Sequence, residues 1–134
     1  MDFEPHSLWL WLPLALLGGG LGAILRLLIV DAATRGLGTA WPWGTWSVNI
    51  LGCVAAGLSL ALLNGLPALP GQWLVLFWLG GVLGSLTTVS AFSLQTLQLA
   101  LTRGAPAALT NLLVTVPACL LGVMLGWWLG GALL

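Results

Sequence analysis

Four long apolar runs, separated by short polar or proline-bearing breaks, set the pattern of this chain. The first extends from about Leu8 to Val30 and stops at Asp31. The second covers about 43–63 and is stopped by Asn64-Gly65, Pro67 and Pro70. The third covers about 73–101 and the fourth about 105–133, with only Thr102-Arg103-Gly104 between them. Each exceeds the roughly 20 residues that a helix needs to cross a hydrocarbon core. The pattern predicts an all-α integral membrane protein of four transmembrane helices, one domain over residues 1–134, its last two helices forming a tight hairpin.

The third run carries an anomaly. Between Leu86 and Gln95 it turns polar, reading Thr87-Thr88-Val89-Ser90-Ala91-Phe92-Ser93, and Gly80, Gly81 and Gly84 come just before. Unpaired polar groups in hydrocarbon cost several kcal/mol each, roughly, so the cluster must face protein or a wet path. Glycines followed by hydroxyls predict a third helix broken near its middle. Broken helices within membranes are where small ions are commonly handled.

Composition sharpens the class. At 60% hydrophobic, 4% charged and a mean hydropathy of +1.10, the chain cannot fold as a water-soluble domain. Three Arg and no Lys cannot build a nucleic-acid groove. Cys53 and Cys119 lie inside apolar runs, which suggests neither a disulfide framework nor a zinc site. Asp2 and Glu4 make the N-terminus acidic, so the first run reads as a retained helix rather than a signal peptide. Seven of the nine Trp lie at run ends, where indoles anchor at the interface. Small residues recur at four-residue spacing, as in Gly18 and Gly22, Gly52 and Ala56, or Gly122, Gly126 and Gly130. Such ridges allow close helix packing in lipid and favour self-association. Arg26, Arg35 and Arg103 all belong to the side of the first and third loops, which places those loops in the cytoplasm.

Catalysis finds little to work with. His6 is the only His, in the N-terminal tail, and no Asp or Glu lies within a run. A Ser or Thr without a base is not an activated nucleophile, and proton-coupled transport usually needs an intramembrane acid.

The polar groups inside the runs form four patches. Gly18-Gly19-x-x-Gly22-Ala23-x-x-Arg26 leads to a cation near the exit of the first helix. It reads either as a snorkelling interfacial Arg or as a positive field at a pore vestibule. Thr45 and Asn49 share a face at i,i+4 in the second helix. Asn49 is either interhelical glue or a neutral donor suited to a desolvated anion. In the third, Thr87, Ser90 and Ser93 form a drifting hydroxyl line around Phe92, whose ring either packs or offers its positive edge to an anion. Asn111, Thr115 and Cys119 make a stripe in the fourth, beside Pro117. Together the patches describe a neutral, donor-lined path beside a breached helix, suited to passive permeation of a small ion.

These residues resemble the Fluc-type fluoride channels, also called CrcB proteins. The resemblance rests on Gly18-Gly19-x-x-Gly22-Ala23-x-x-Arg26, on Gly44-Thr45 through Val48-Asn49-x-x-Gly52, and on Gly84-x-x-Thr87-Thr88-x-Ser90-x-Phe92-Ser93, and spans nearly the whole chain. It implies an antiparallel, dual-topology dimer in the plasma or inner membrane, with two pores that passively export fluoride. It implies a structural Na⁺ at the dimer centre, held by backbone carbonyls at Gly84 and Thr87. It places Asn49, Ser90, Phe92 and Ser93 along the pore, Thr115 loosely beside them, and Arg26 at a vestibule.

The chain departs from the family pattern where Val89 replaces the first Phe of the aromatic box, Ala91 a Thr, Gln95 a Glu and Leu27 a Tyr. The lost ring, with the one-sided Arg distribution, raises a heterodimer of oppositely oriented paralogues as an alternative to a homodimer. A non-conducting scaffold or a small-solute transporter are further alternatives.

Overall fold

The computed structural model describes residues 8–65 and 72–134, and the regular structure among them is all helical. Four stretches are long and apolar enough to cross a membrane: Trp11–Leu37, Trp43–Gly65, Leu76–Arg103 and Ala105–Ala132.

Helix α1 (Leu8–Leu37) continues beyond the predicted stop at Asp31. Arg35, one turn on, donates from Nε to Asp31 Oδ1 at 2.9 Å, an i,i+4 pair that supports the added turns. The helix ends where Gly38 takes φ +81° and its N–H closes on the Thr34 carbonyl, a left-handed stop that glycine adopts freely. Helix α2 spans Trp43–Gly65.

The third span is composite. A single turn, α3 (Gln72–Val75), runs into a π-helical stretch at Leu76–Leu83 and then into α4 (Gly84–Leu86). Thr87 (φ −80°, ψ 156°) and Thr88 (φ −151°, ψ 117°) are extended, and α5 resumes at Val89–Arg103. The interruption therefore falls after the glycines rather than at them. Gly81 serves a contact instead: a Cβ there would lie 2.9 Å from the Gly18 Cα of α1. Gly104, at φ +86°, makes the turn into α6 (Ala105–Ala132).

Packing follows the glycine ridges. The most extensive interface joins α2 to α6, and α1 lies along the π-helical stretch. A Cβ at Gly57 would run into the Val123 carbonyl, and one at Gly126 into that of Val54. Both obstacles are backbone, which cannot rotate away. Gly126→Ala is expected to destabilise the protein by about 1–3 kcal/mol, read as a lower thermal unfolding midpoint in detergent. Gly19→Ala, where a methyl would meet open space, is the matched control and should leave it unchanged. The buried cluster is small, with Val48, Leu83 and Leu86 at its centre and Leu25, Ile29 and Leu79 around it. Side chains such as Leu16, Leu17, Leu120 and Leu121 point outward, as lipid-facing positions do.

Candidate functional site

An interrupted helix leaves carbonyls without donors on one side and N–H groups without acceptors on the other. In a span, each needs a partner from the protein. The extended residues Thr87 and Thr88 create this demand, and α1 and α2 supply the answer.

From α2, Asn49 meets Thr88 with both ends of its amide. The Thr88 N–H donates to Asn49 Oδ1 at 2.7 Å, and Asn49 Nδ2 donates back to the Thr88 carbonyl at 3.0 Å. Both residues are buried. The side-chain amide acts as a replacement peptide group, giving an extended residue the pairing that a helix or strand would provide. Thr88 N–H would otherwise close a helical bond on Gly84, so the Gly84 carbonyl is left without its helical donor. Gly84 is exposed on the surface of the chain.

From α1, Arg26 turns inward. Its Nε donates to the Leu86 carbonyl at 3.1 Å, and its Nη2 to the carbonyls of Thr87 at 3.0 Å and of Ser85. A planar fork with several donors suits three convergent carbonyls, and a cation belongs at the negative end of a helix. Ser85 Oγ adds a bond to the Gly19 carbonyl at 2.6 Å, fixing α4 to α1. Within the third span itself, the Leu83 carbonyl accepts from both the N–H and the Oγ1 of Thr87.

Beyond the interruption Thr88 caps α5, its Oγ1 accepting from Ala91 N–H at 3.1 Å, a standard use of threonine. The same oxygen lies 3.2 Å from Ser90 Oγ. Ser90 and Ser93 are exposed, Phe92 is half-buried, and Val89 is 78% exposed. These groups therefore sit on the outer face of the chain at mid-span.

A second network holds α5. Asn111 is fully buried; its Oδ1 accepts from Trp46 Nε1 at 2.6 Å, and its Nδ2 donates to Thr96 Oγ1 at 2.7 Å. Thr96 Oγ1 in turn donates to the Phe92 carbonyl at 2.7 Å, and Thr115 Oγ1 donates to Asn111 Oδ1 at 3.3 Å. Thr115 is thus joined to Phe92 through Asn111 and Thr96. Cys119, the next position of that stripe, is half-buried.

Arg26, Asn49, Gly84 and Thr87 therefore converge on one interruption, with Ser90, Phe92 and Ser93 on its outer side. Trp46, Thr88 and Thr96 belong to the same construction: Thr88 stands in the polar cluster read from sequence, though not as a cap, and Trp46 and Thr96 are not singled out there. Thr88 was open to detection, as a threonine three residues before the Ala91 N–H it caps. Trp46 was not, since an indole one turn inside a span reads simply as an interface anchor. Among the described residues, no three His, Cys, Asp or Glu side chains gather as a metal site.

Comparison with known proteins identifies the family. Residues 13–127 match the family model described as CrcB-like protein, Camphor Resistance (CrcB). A protein of Chelativorans sp. (strain BNC1) named fluoride-specific ion channel FluC is 41% identical over 123 residues, covering 92% of this chain and 98% of that relative. A Magnetococcus marinus protein of the same name is 41% identical over 114 residues, 85% of this chain and 92% of its own. In Bradyrhizobium diazoefficiens a relative named FluC 2 is 40% identical over 119 residues, 87% of this chain and 85% of its own. With four spans and a match along nearly its whole length, this chain belongs to the CrcB family of multi-pass cell-membrane proteins.

Proposed function

We propose that this chain is a subunit of a fluoride-selective channel that relieves toxicity by passive export, and not an enzyme. Its relatives carry that name, and the physical observation supporting it is the outward-facing polar mid-span. Ser90, Ser93 and the Gly84 backbone are exposed on a single chain within a membrane span. Lipid cannot satisfy them, so they call for a second subunit. The reading is an antiparallel pair with two anion paths, lined by Asn49, Ser90, Phe92, Ser93 and Thr115. The N-terminal end of α5 turns its positive pole toward the interruption, a favourable setting for an anion.

A structural Na⁺ fits the same centre. The Gly84 carbonyl lacks its helical donor, and the Thr87 carbonyl keeps a lone pair beyond the one facing Arg26. Hard cations gather roughly six oxygens, more than Gly84 and Thr87 of one chain provide, so both subunits would have to contribute. Bound there, the ion would supply positive charge to the space between the two chains.

A second reading has this chain paired with a different, related subunit. It is favoured by Val89, which is small and 78% exposed at the start of α5 where the family pattern carries an aromatic ring. The test is fluoride efflux from liposomes containing the purified protein, followed with a fluoride electrode. Robust flux from this chain alone supports the homodimer, and flux only with a paralogue supports the pair. No flux in either case favours a scaffold or a transporter of another small solute. Phe92→Ile is expected to abolish the flux, whereas Val89→Phe should leave it intact or raise it. Unchanged flux in Phe92→Ile removes that ring from the path.

A further inference from the structure

Two cysteines take no part in the site described above. Cys53 of α2 and Cys119 of α6 are free thiols, half-buried within membrane-spanning segments. The α2–α6 interface fixes their relative placement. The two helices run parallel, since a Cβ at Gly57 would meet the Val123 carbonyl, one at Gly126 that of Val54, and one at Gly130 the Ala61 Cβ. Gly57 is therefore level with Val123. One turn back along each helix, four residues in both, stand Cys53 and Cys119, on the same faces as Gly57 and Val123. A second contact agrees. A Cβ at Gly122 would lie 3.4 Å from the Cys53 Cβ, and Gly122 shares a face of α6 with Cys119 at i,i+3. The two thiols thus enter one seam from opposite sides at one height.

What such a pair can hold follows from its ligand number and its charge. Thiolate is the metal-binding form of cysteine, and soft thiolates select soft cations. Among the described residues no three His, Cys, Asp or Glu gather, so the four ligands of a structural zinc are not provided. A soft cation satisfied by two ligands in line is served. Neither α2 nor α6 contains Asp, Glu, Lys, Arg or His, so nothing on these helices balances two thiolates except the ion itself. Net charge within a span is costly. A divalent ion leaves the site neutral, whereas a monovalent one leaves a negative charge.

We propose that Cys53 and Cys119 form a two-coordinate site for a soft divalent cation of the mercuric type, which bridges α2 to α6. On binding, two S–H bonds are exchanged for two S–metal bonds, both protons pass to water, and nothing is oxidised or reduced. The bridge lies one turn from Asn49 on α2 and one turn from Thr115 on α6. The inference is independent of what the protein conducts.

The test is a titration of the purified, reduced protein in detergent with mercuric chloride, followed by the ultraviolet charge-transfer absorption of the metal–thiolate bonds. The parent should saturate at one ion per chain and hold it against added 2-mercaptoethanol. Closing a chelate raises affinity by roughly a hundredfold or more over a single ligand. In Cys53→Ala and in Cys119→Ala, the competitor concentration that removes half the metal should therefore fall by roughly that factor. The Ser variants repeat the measurement should an Ala variant fail to fold. Moving the thiol, in the double variant Cys119→Ala, Leu120→Cys, places it at a 62% exposed position off the seam. That variant should behave like the single ones, although it keeps two cysteines. Two ions per chain in the parent, or equal retention by either single variant or by the displaced thiol, would overturn the site.

Discussion

Arg26→Leu should deprive the third span of its fold. The substitution leaves the carbonyls of Ser85, Leu86 and Thr87 without the donor that serves all three. Each unmet acceptor costs about 1–3 kcal/mol when buried, so a total of at least about 3 kcal/mol is expected. That is a large share of the stability of a chain this small. The readouts are yield of monodisperse protein in detergent and the thermal unfolding midpoint. Arg26→Lys should recover only part, because an ammonium cannot reproduce the fork that reaches adjacent carbonyls. A Leu variant as stable as the parent would show that Arg26 does not cap the interruption.

Asn49→Asp should abolish conduction while perturbing side-chain volume very little. The amide now offers an acceptor to Thr88 N–H and a donor to the Thr88 carbonyl. The carboxylate keeps the first bond and turns the second into oxygen against oxygen. It also sets a buried negative charge beside the proposed anion path. An uncompensated buried charge acts at about 3–5 kcal/mol, so fluoride efflux from liposomes should fall more than about a hundredfold. Asn49→Leu separates the two effects, since it adds no charge yet leaves both Thr88 backbone groups unpaired. It should also lower the unfolding midpoint, yet retain more flux than the Asp variant does. Parent-like flux in Asn49→Asp would remove Asn49 from both roles.

What the sequence reveals here divides along the range of the interactions. The four spans, the packing glycines and the tight turn at Gly104 are local or compositional, and can be read from the chain. Asp31 misleads as a helix stop because its partner Arg35 removes the charge penalty one turn later. The glycines before the interruption play a part that is not local. Gly81 is small because α1 passes close to it, while the break arises at Thr87 and Thr88, whose backbone is held by α1 and α2. Arg26 is legible as an unusual cation in a span, but its target lies some 60 positions away. Nothing local distinguishes a guanidinium directed at water from one directed at carbonyls. The same holds for Asn111, whose stripe with Thr115 is visible while its bonds to Trp46 and Thr96 depend on how α2, α5 and α6 meet.

The double clasp of Asn49 on Thr88 bears on how such a protein would work over time. An interrupted helix is ordinarily a candidate hinge, but here the two extended residues are pinned from α2 by an amide and from α1 by a guanidinium. A joint locked on both sides has no stroke. Anything crossing beside it would meet a fixed aperture rather than an alternating gate, so passage would have no duty cycle and its rate would follow the electrochemical gradient of the permeant alone.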